Sequence, residues 1–191
     1  KGLTKPEWFG FWGELYVLSQ ILSSSINKTD AVKFWIGPEG KKQDFTFNNC
    51  ALEIKTTLSG DANAIKISSL DQLHKITEKL YLLHLHINFS NDSLALSLQD
   101  MFTFMEGSLN ENIDSKAQFL NKASVLYGKA SEEQLETKFN FISMEAYEIK
   151  DGFPSLTNDN THSAITSIKY DLNPSSLKSY LTEIDIQELI K

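Results

Sequence analysis

Asp44, Glu53 and Lys55 are the residues whose types and spacing could do chemistry; they lie in Gln43-Asp44-Phe45-Thr46-Phe47-Asn48-Asn49-Cys50-Ala51-Leu52-Glu53-Ile54-Lys55. Asn48-Asn49 suits a two-residue hairpin turn, because asparagine tolerates the left-handed backbone that tight hairpins use. With that turn Phe47 pairs with Cys50, and Asp44 with Glu53. Strand alternation then gathers Phe45, Phe47, Cys50, Leu52 and Ile54 on one apolar face, with Asp44, Glu53 and Lys55 on the other. Opposed side chains have Cβ atoms roughly 5 Å apart, where like charges destabilise. The acid pair therefore calls for a cation. Lys55 is one candidate and a divalent metal, Mg²⁺ or Mn²⁺, a better one. Such hard ions are held by one or two carboxylates and keep several waters. They polarise a phosphate and lower the pKa of a bound water, while a nearby lysine positions the water or stabilises developing charge. This is the chemistry of metal-assisted phosphodiester hydrolysis. A surface hairpin with a solvated polar face accounts for the same short pattern.

The element that would complete the site is the first helix. Thr4-Lys5-Pro6-Glu7 reads as a capping box with proline in the first turn. The run Trp8 to Leu18 is apolar around nearly the whole helix, which predicts burial between layers. Glu14 is the one charge within it, and a buried carboxylate needs a partner or a metal. Gly10 and Gly13, each costing up to about 1 kcal/mol in a helix interior, are expected to allow close backbone approach beside Glu14. A structural hydrogen bond is the alternative role for Glu14.

With Gly13-Glu14-Leu15 on a helix, then an Asp, then Glu53-Ile54-Lys55, the chain resembles the PD-(D/E)XK nuclease superfamily. The closer resemblance is to a bacterial family, the DUF4420 type. Its pattern appears as Trp35-Ile36-Gly37-Pro38-Glu39-Gly40, Asp44-Phe45, Leu52-Glu53-Ile54-Lys55-Thr56-Thr57 and Ile67-Ser68-Ser69-Leu70-Asp71-Gln72-Leu73. It continues at Gly152-Phe153-Pro154-Ser155-Leu156 and Ile168-Lys169-Tyr170-Asp171-Leu172. In one departure, Gln43 precedes the first acid where the superfamily motif has proline. The resemblance implies an α/β fold with a restriction-endonuclease-like mixed β-sheet flanked by helices. It implies a Mg²⁺-dependent (or Mn²⁺-dependent) DNA endonuclease of a restriction or phage-defence system. Glu14, Asp44 and Glu53 would hold metal and Lys55 would act at the water or the phosphate. Gln72, placed where a helix flanks the site in this superfamily, could orient a water or phosphate; capping or packing is its alternative role. DNA is the expected partner, and a homodimer or further subunits of a defence complex fit the same reading. Members commonly carry sequence ahead of this region, so the chain fits the C-terminal portion of a longer protein.

Composition bounds these readings. The 191 residues are enough for one domain, 1–191, with a full core. No apolar run approaches about 18 residues, so no membrane span is expected. The segment after Lys1 does not read as a secretory signal, since Glu14 interrupts its apolar run. The single cysteine, Cys50, is compatible with a reducing, cytoplasmic setting and is expected to pack. Net charge is −7 and every basic residue is lysine. Arginine is the residue best matched to bidentate guanine reading, so strong sequence-specific DNA reading by this domain alone is not expected. Lys33, Lys41, Lys42, Lys55 and Lys66 surround the proposed site in sequence, whereas 131–136 and 183–188 are acidic. These features keep open a second function: a non-catalytic nuclease-fold module for assembly or nucleic-acid binding.

Around the hairpin, 64–68 reads as a third strand and Ser69 as the start of a short helical turn carrying Gln72. Leu80 to Ile87 reads as a central strand, apolar on both faces over most of its length. Ser97 caps a helix through about Gly107, and a second helix runs from Asp114 to Tyr127. Strands are expected at 138–149 and 164–171, a loop at 157–163 and a helix near 175–181. His84 and His86 share one strand face, as zinc pairs do, but no third ligand stands at a matching spacing. They are read as partly buried strand histidines.

Overall fold

The computed structural model describes residues 2–23, 28–61, 63–186 and 188–189. Lys1, where the reading against a signal peptide begins, and Gln187 in the acidic tract 183–188 lie outside them. Helix α1, Lys5–Ser23, starts at the expected capping box: Thr4 N donates to Glu7 Oε2 at 2.8 Å and Glu7 N to Thr4 Oγ1 at 3.4 Å. A short helix α2, Lys28–Phe34, follows. Strands β1, Phe45–Thr46, and β2, Cys50–Leu58, form the hairpin, with Phe45 opposite Leu52 and Thr46 opposite Ala51. Phe47 N donates to Cys50 O at 2.8 Å, which closes the turn at Asn48-Asn49 in the expected register.

The main sheet has five strands in the order β1-β2-β4-β5-β7, where β4 is Lys79–Phe89, β5 Phe139–Glu148 and β7 Leu181–Thr182. β2 and β4 run parallel and the other pairs antiparallel. One face buries Leu52, Ile54, Leu83, Leu85 and Ile87 against α1, α3 (Leu98–Ser108) and α4 (Ile113–Lys129). The capping box of α3 pairs Ser97 with Asp100, and a short α5, Glu132–Glu136, precedes β5. On the other face Ala51, Leu80, Leu82 and Tyr147 pack under a second sheet of β3, Ile65–Ile67, and β6, Tyr170–Leu172. This is the expected mixed α/β sheet flanked by helices. No helix among the described residues is long and apolar enough to cross a membrane.

Several expectations are corrected. β3 does not extend the main sheet; it pairs with β6, and residues 59–78 instead form the crossover that a parallel β2–β4 pair requires. Of the strand expected at 164–171 only its end survives, as Tyr170–Leu172, where an antiparallel partner exists. The helix expected near 175–181 is two 3-10 turns, Pro174–Ser176 and Lys178–Tyr180. Asn173 and Pro174 start the first turn, but Leu177 is drawn into the core and the chain enters β7 before an α-helix can close. α2 and α5, at 7 and 5 residues, are too short to display a helical period.

Candidate active site

Asp44 stands just before β1, where β2 runs on past its partner strand. Beyond Phe45 the amide of Ile54 has lost its backbone neighbour on that edge, and Asp44 Oδ2 takes the bond at 2.7 Å. The Asp44 carbonyl accepts from Ile36 N at 2.8 Å and Gly37 N at 3.0 Å, which ties the 36–40 turn to the hairpin. Asp44 is therefore held by backbone amides at its side chain and at its carbonyl.

Glu14 reaches the same place from α1. Its Oε2 accepts from the indole Nε1 of the fully buried Trp35 at 2.7 Å. An ideal Cβ on Gly37 would lie 2.9 Å from both Asp44 Oδ1 and Glu14 Oε2, so those oxygens are no more than twice that distance apart. Gly37 thus leaves the space in which the two carboxylates meet. Gly13 allows the helix to sit on β2: its ideal Cβ would lie 2.0 Å from Thr56 Oγ1 and 3.4 Å from Ile54 Cγ2. Gly10 has no such neighbour within 4 Å, so close approach is the work of Gly13 alone, contrary to the pairing expected of the two.

Glu53 points to the face under the second sheet, because its neighbours Leu52 and Ile54 take the α1 face. Its side chain is 2% exposed and Oε1 lies 2.8 Å from Lys55 Nζ. Burial and the charge of Asp44 push the Glu53 carboxyl up to about 8, against the opposing pull of Lys55. Glu14 is pushed well above the carboxylate range by burial, then by Asp44 and Glu53, despite the Trp35 bond. Asp44 is raised by burial, with Lys55 and the Ile54 amide pulling the other way. Three carboxyl groups thus face one ammonium group. Hard carboxylate oxygens of Glu14 and Asp44 face the gap at Gly37, a donor type that fits Mg²⁺ or Mn²⁺, while Glu53 is linked to both by charge without all three carboxylates lying within 4.8 Å of one another.

Gln72 takes up the capping role that its sequence reading gave as the alternative. Its carboxamide oxygen accepts from Ser68 N at 2.9 Å and Ser68 Oγ at 3.3 Å, so it caps its own turn. Gln43, in the proline position of the motif, is 1% exposed and its Nε2 donates to the carbonyls of Asp71, Gln72 and His74 at 3.0–3.4 Å. It fastens the 71–74 turn beside Asp44. Lys122 of α4 was not anticipated: its Nζ donates to Val32 O at 2.9 Å and Trp35 O at 2.5 Å and lies 3.0 Å from Glu39 Oε1. This lysine clamps the segment carrying Trp35 and Gly37. Of the surrounding lysines, Lys33 pairs with Asp30 and Lys42 with Asp71. His84 and His86 do have a third neighbour, Glu145, which β5 brings across from β4. A partner on a strand so distant in the chain has no spacing signature.

No curated protein and no solved structure matches the chain. A family model described as "Putative PD-(D/E)XK family member, (DUF4420)" matches residues 1–175. That span includes α1, the hairpin and the whole acid cluster, and it shows that the chain belongs to the DUF4420 family of PD-(D/E)XK nuclease-like proteins.

Proposed function

We propose that this protein is a Mg²⁺- or Mn²⁺-dependent DNA endonuclease acting in a restriction or phage-defence system. The observation that supports the reading is the approach of the Glu14 and Asp44 carboxylates at Gly37, with Glu53, paired to Lys55, coupled to both by charge. Glu14, Asp44 and Glu53 would hold the metal. When bound, the ion supplies Lewis-acid stabilisation of phosphate charge and acidifies water. The chain's own groups do the positioning. Trp35 fixes Glu14, the Ile54 amide fixes Asp44, and Glu53 holds the Lys55 ammonium over the site face. Lys55 orients the attacking water against the phosphate and stabilises the negative charge that develops there. Gln72 lies beside the hairpin through the Gln43 bond to its carbonyl and could assist substrate placement.

The test is cleavage of plasmid or phage DNA with Mg²⁺, with and without products of neighbouring genes. Lys55→Ala should lower the rate by about 10²–10³-fold, the usual cost of one transition-state charge partner, with the fold intact. Undiminished cleavage by that variant would reject the role of Lys55. A wild type inactive under every metal and partner condition would instead favour a non-catalytic nuclease-fold module, which the net charge of −7 and the lack of arginine also suit.

A further inference from the structure

We propose that His84, His86 and Glu145 form a second metal site, for a borderline transition-metal ion of the Zn²⁺ class, separate from the acid cluster. β4 presents His84 and His86 on the face under the second sheet, two residues apart, with ring centroids 4.2 Å apart. The antiparallel register places Glu145 of β5 directly opposite His84. Its Oε2 lies 3.8 Å from His84 Nδ1 and 3.6 Å from His86 Nε2, and all three donor atoms lie within 4.8 Å of one another.

The separations are too long for direct hydrogen bonds and only a few tenths of an ångström wider than the ligand spacing of a tetrahedral ion with bonds of about 2.0–2.1 Å. A second observation points to a ligand. The side chain of His84 is fully buried, yet its Nδ1, aimed at the Glu145 carboxylate, has no hydrogen-bond partner. Its other nitrogen, Nε2, lies 2.8 Å from Thr57 Oγ1, the kind of outer contact that fixes a metal-binding imidazole in orientation. An ion between Nδ1, Nε2 of His86 and the carboxylate would satisfy the orphaned atom. Two imidazoles and one carboxylate suit zinc and its neighbours rather than Mg²⁺ or Ca²⁺. The set also leaves a coordination position open. A cavity of about 240 Å³ lined by Thr57, Ser59, Gly60, Asp61, Asn63 and His86 gives that position room for water or a further ligand. Because Lys55 is the cross-strand neighbour of His84, the ion would add positive charge to the same sheet face.

Zn²⁺ titration of tag-free protein by calorimetry, with Co²⁺ absorption as the spectroscopic readout, decides the matter. Wild type should bind one equivalent of Zn²⁺ at this site and give the intense visible bands of four-coordinate Co²⁺. Both signals should persist in Asp44→Asn/Glu53→Gln, which disables the acid cluster, and both should be lost in His86→Ala and in Glu145→Gln. These two side chains are partly exposed, 19% and 40%, so neither change opens the core. Thr57→Val should weaken Zn²⁺ binding by about 10–100-fold. Full binding by a His86→Ala/Glu145→Gln double variant, no binding by wild type, or binding that disappears only with the acid cluster would overturn the proposal. Since the readout is metal binding, failure of the nuclease reading would leave this result unaffected.

Discussion

Glu53 connects protonation at a single residue to stability. Its folded-state pKa is raised, to about 8 from an ordinary 4.5. A raised acid favours the folded state below the ordinary value, and that contribution is lost as pH climbs through the folded one. His84 has the opposite sign: burial lowers it from 6.5 to about 4, so its contribution is present above 6.5 and lost on acidification. Between pH 6.5 and 8 the His84 contribution is already complete while that of Glu53 is still falling. In EDTA the melting temperature should therefore decline across this window, and Glu53→Gln should flatten the decline. A wild-type curve that stays level or rises there would show that Glu53 is ionised in the fold. Saturating Mg²⁺ should flatten the curve as well, since it favours the ionised carboxylates. Binding to the native state alone stabilises it by roughly 2.7 kcal/mol at a hundredfold excess over Kd. The melting temperature should then rise by several degrees, as expected for a chain of this size. That rise should be absent in Asp44→Ala; equal shifts in both proteins would place the ion elsewhere.

The packing of α1 on β2 makes a prediction at the level of the element. By helix propensity alone, Gly13→Ala should stabilise α1 by up to about 1 kcal/mol. The contact predicts the reverse, because the new Cβ would meet Thr56 Oγ1 at 2.0 Å and Thr56 Cβ at 3.3 Å. Net destabilisation of about 1–3 kcal/mol is expected, the usual cost of overpacking, and urea unfolding measures it. Gly10→Ala has nothing within 4 Å and serves as the control, expected to be neutral or stabilising. If both variants gain stability, the close helix–strand contact is not real. Gly37→Ala belongs to the same scale but reads out on activity. A methyl group 2.9 Å from Asp44 Oδ1 and Glu14 Oε2 should separate the carboxylates and suppress both the Mg²⁺-dependent melting shift and cleavage.

Charge acts at the level of the whole molecule. With 25 acidic residues against 18 lysines, the summed field repels DNA. Lysine contacts on one face can offset this only locally, and such contacts are weakened by salt. DNA retention in a mobility-shift assay should therefore be weak in EDTA, stronger with Ca²⁺ as a non-cleaving occupant of the acid cluster, and reduced again as salt rises. Tight, salt-insensitive binding in EDTA would contradict this electrostatic account.

Local physics made much of this protein legible in its sequence. Asn48-Asn49 set the hairpin register, and with it the apolar face from Phe45 to Ile54, because a tight turn and a period of two leave one solution. The capping residues Thr4 and Ser97 marked helix starts for the same local reason. Glu14 was conspicuous as a lone charge in an apolar helix. What only the tertiary structure decided depends on contacts between distant segments. β3 left the main sheet for β6, the indole of Trp35 found Glu14, and Lys122 clamped the turn that holds Gly37. Gln43 took a buried anchoring role on the 71–74 turn. Glu145 joined His84 and His86 only because the antiparallel pairing of β5 with β4 set it opposite His84. Periodicity states which face a residue occupies, but strand order decides which residues share that face, and strand order is set by how the layers bury their apolar surface.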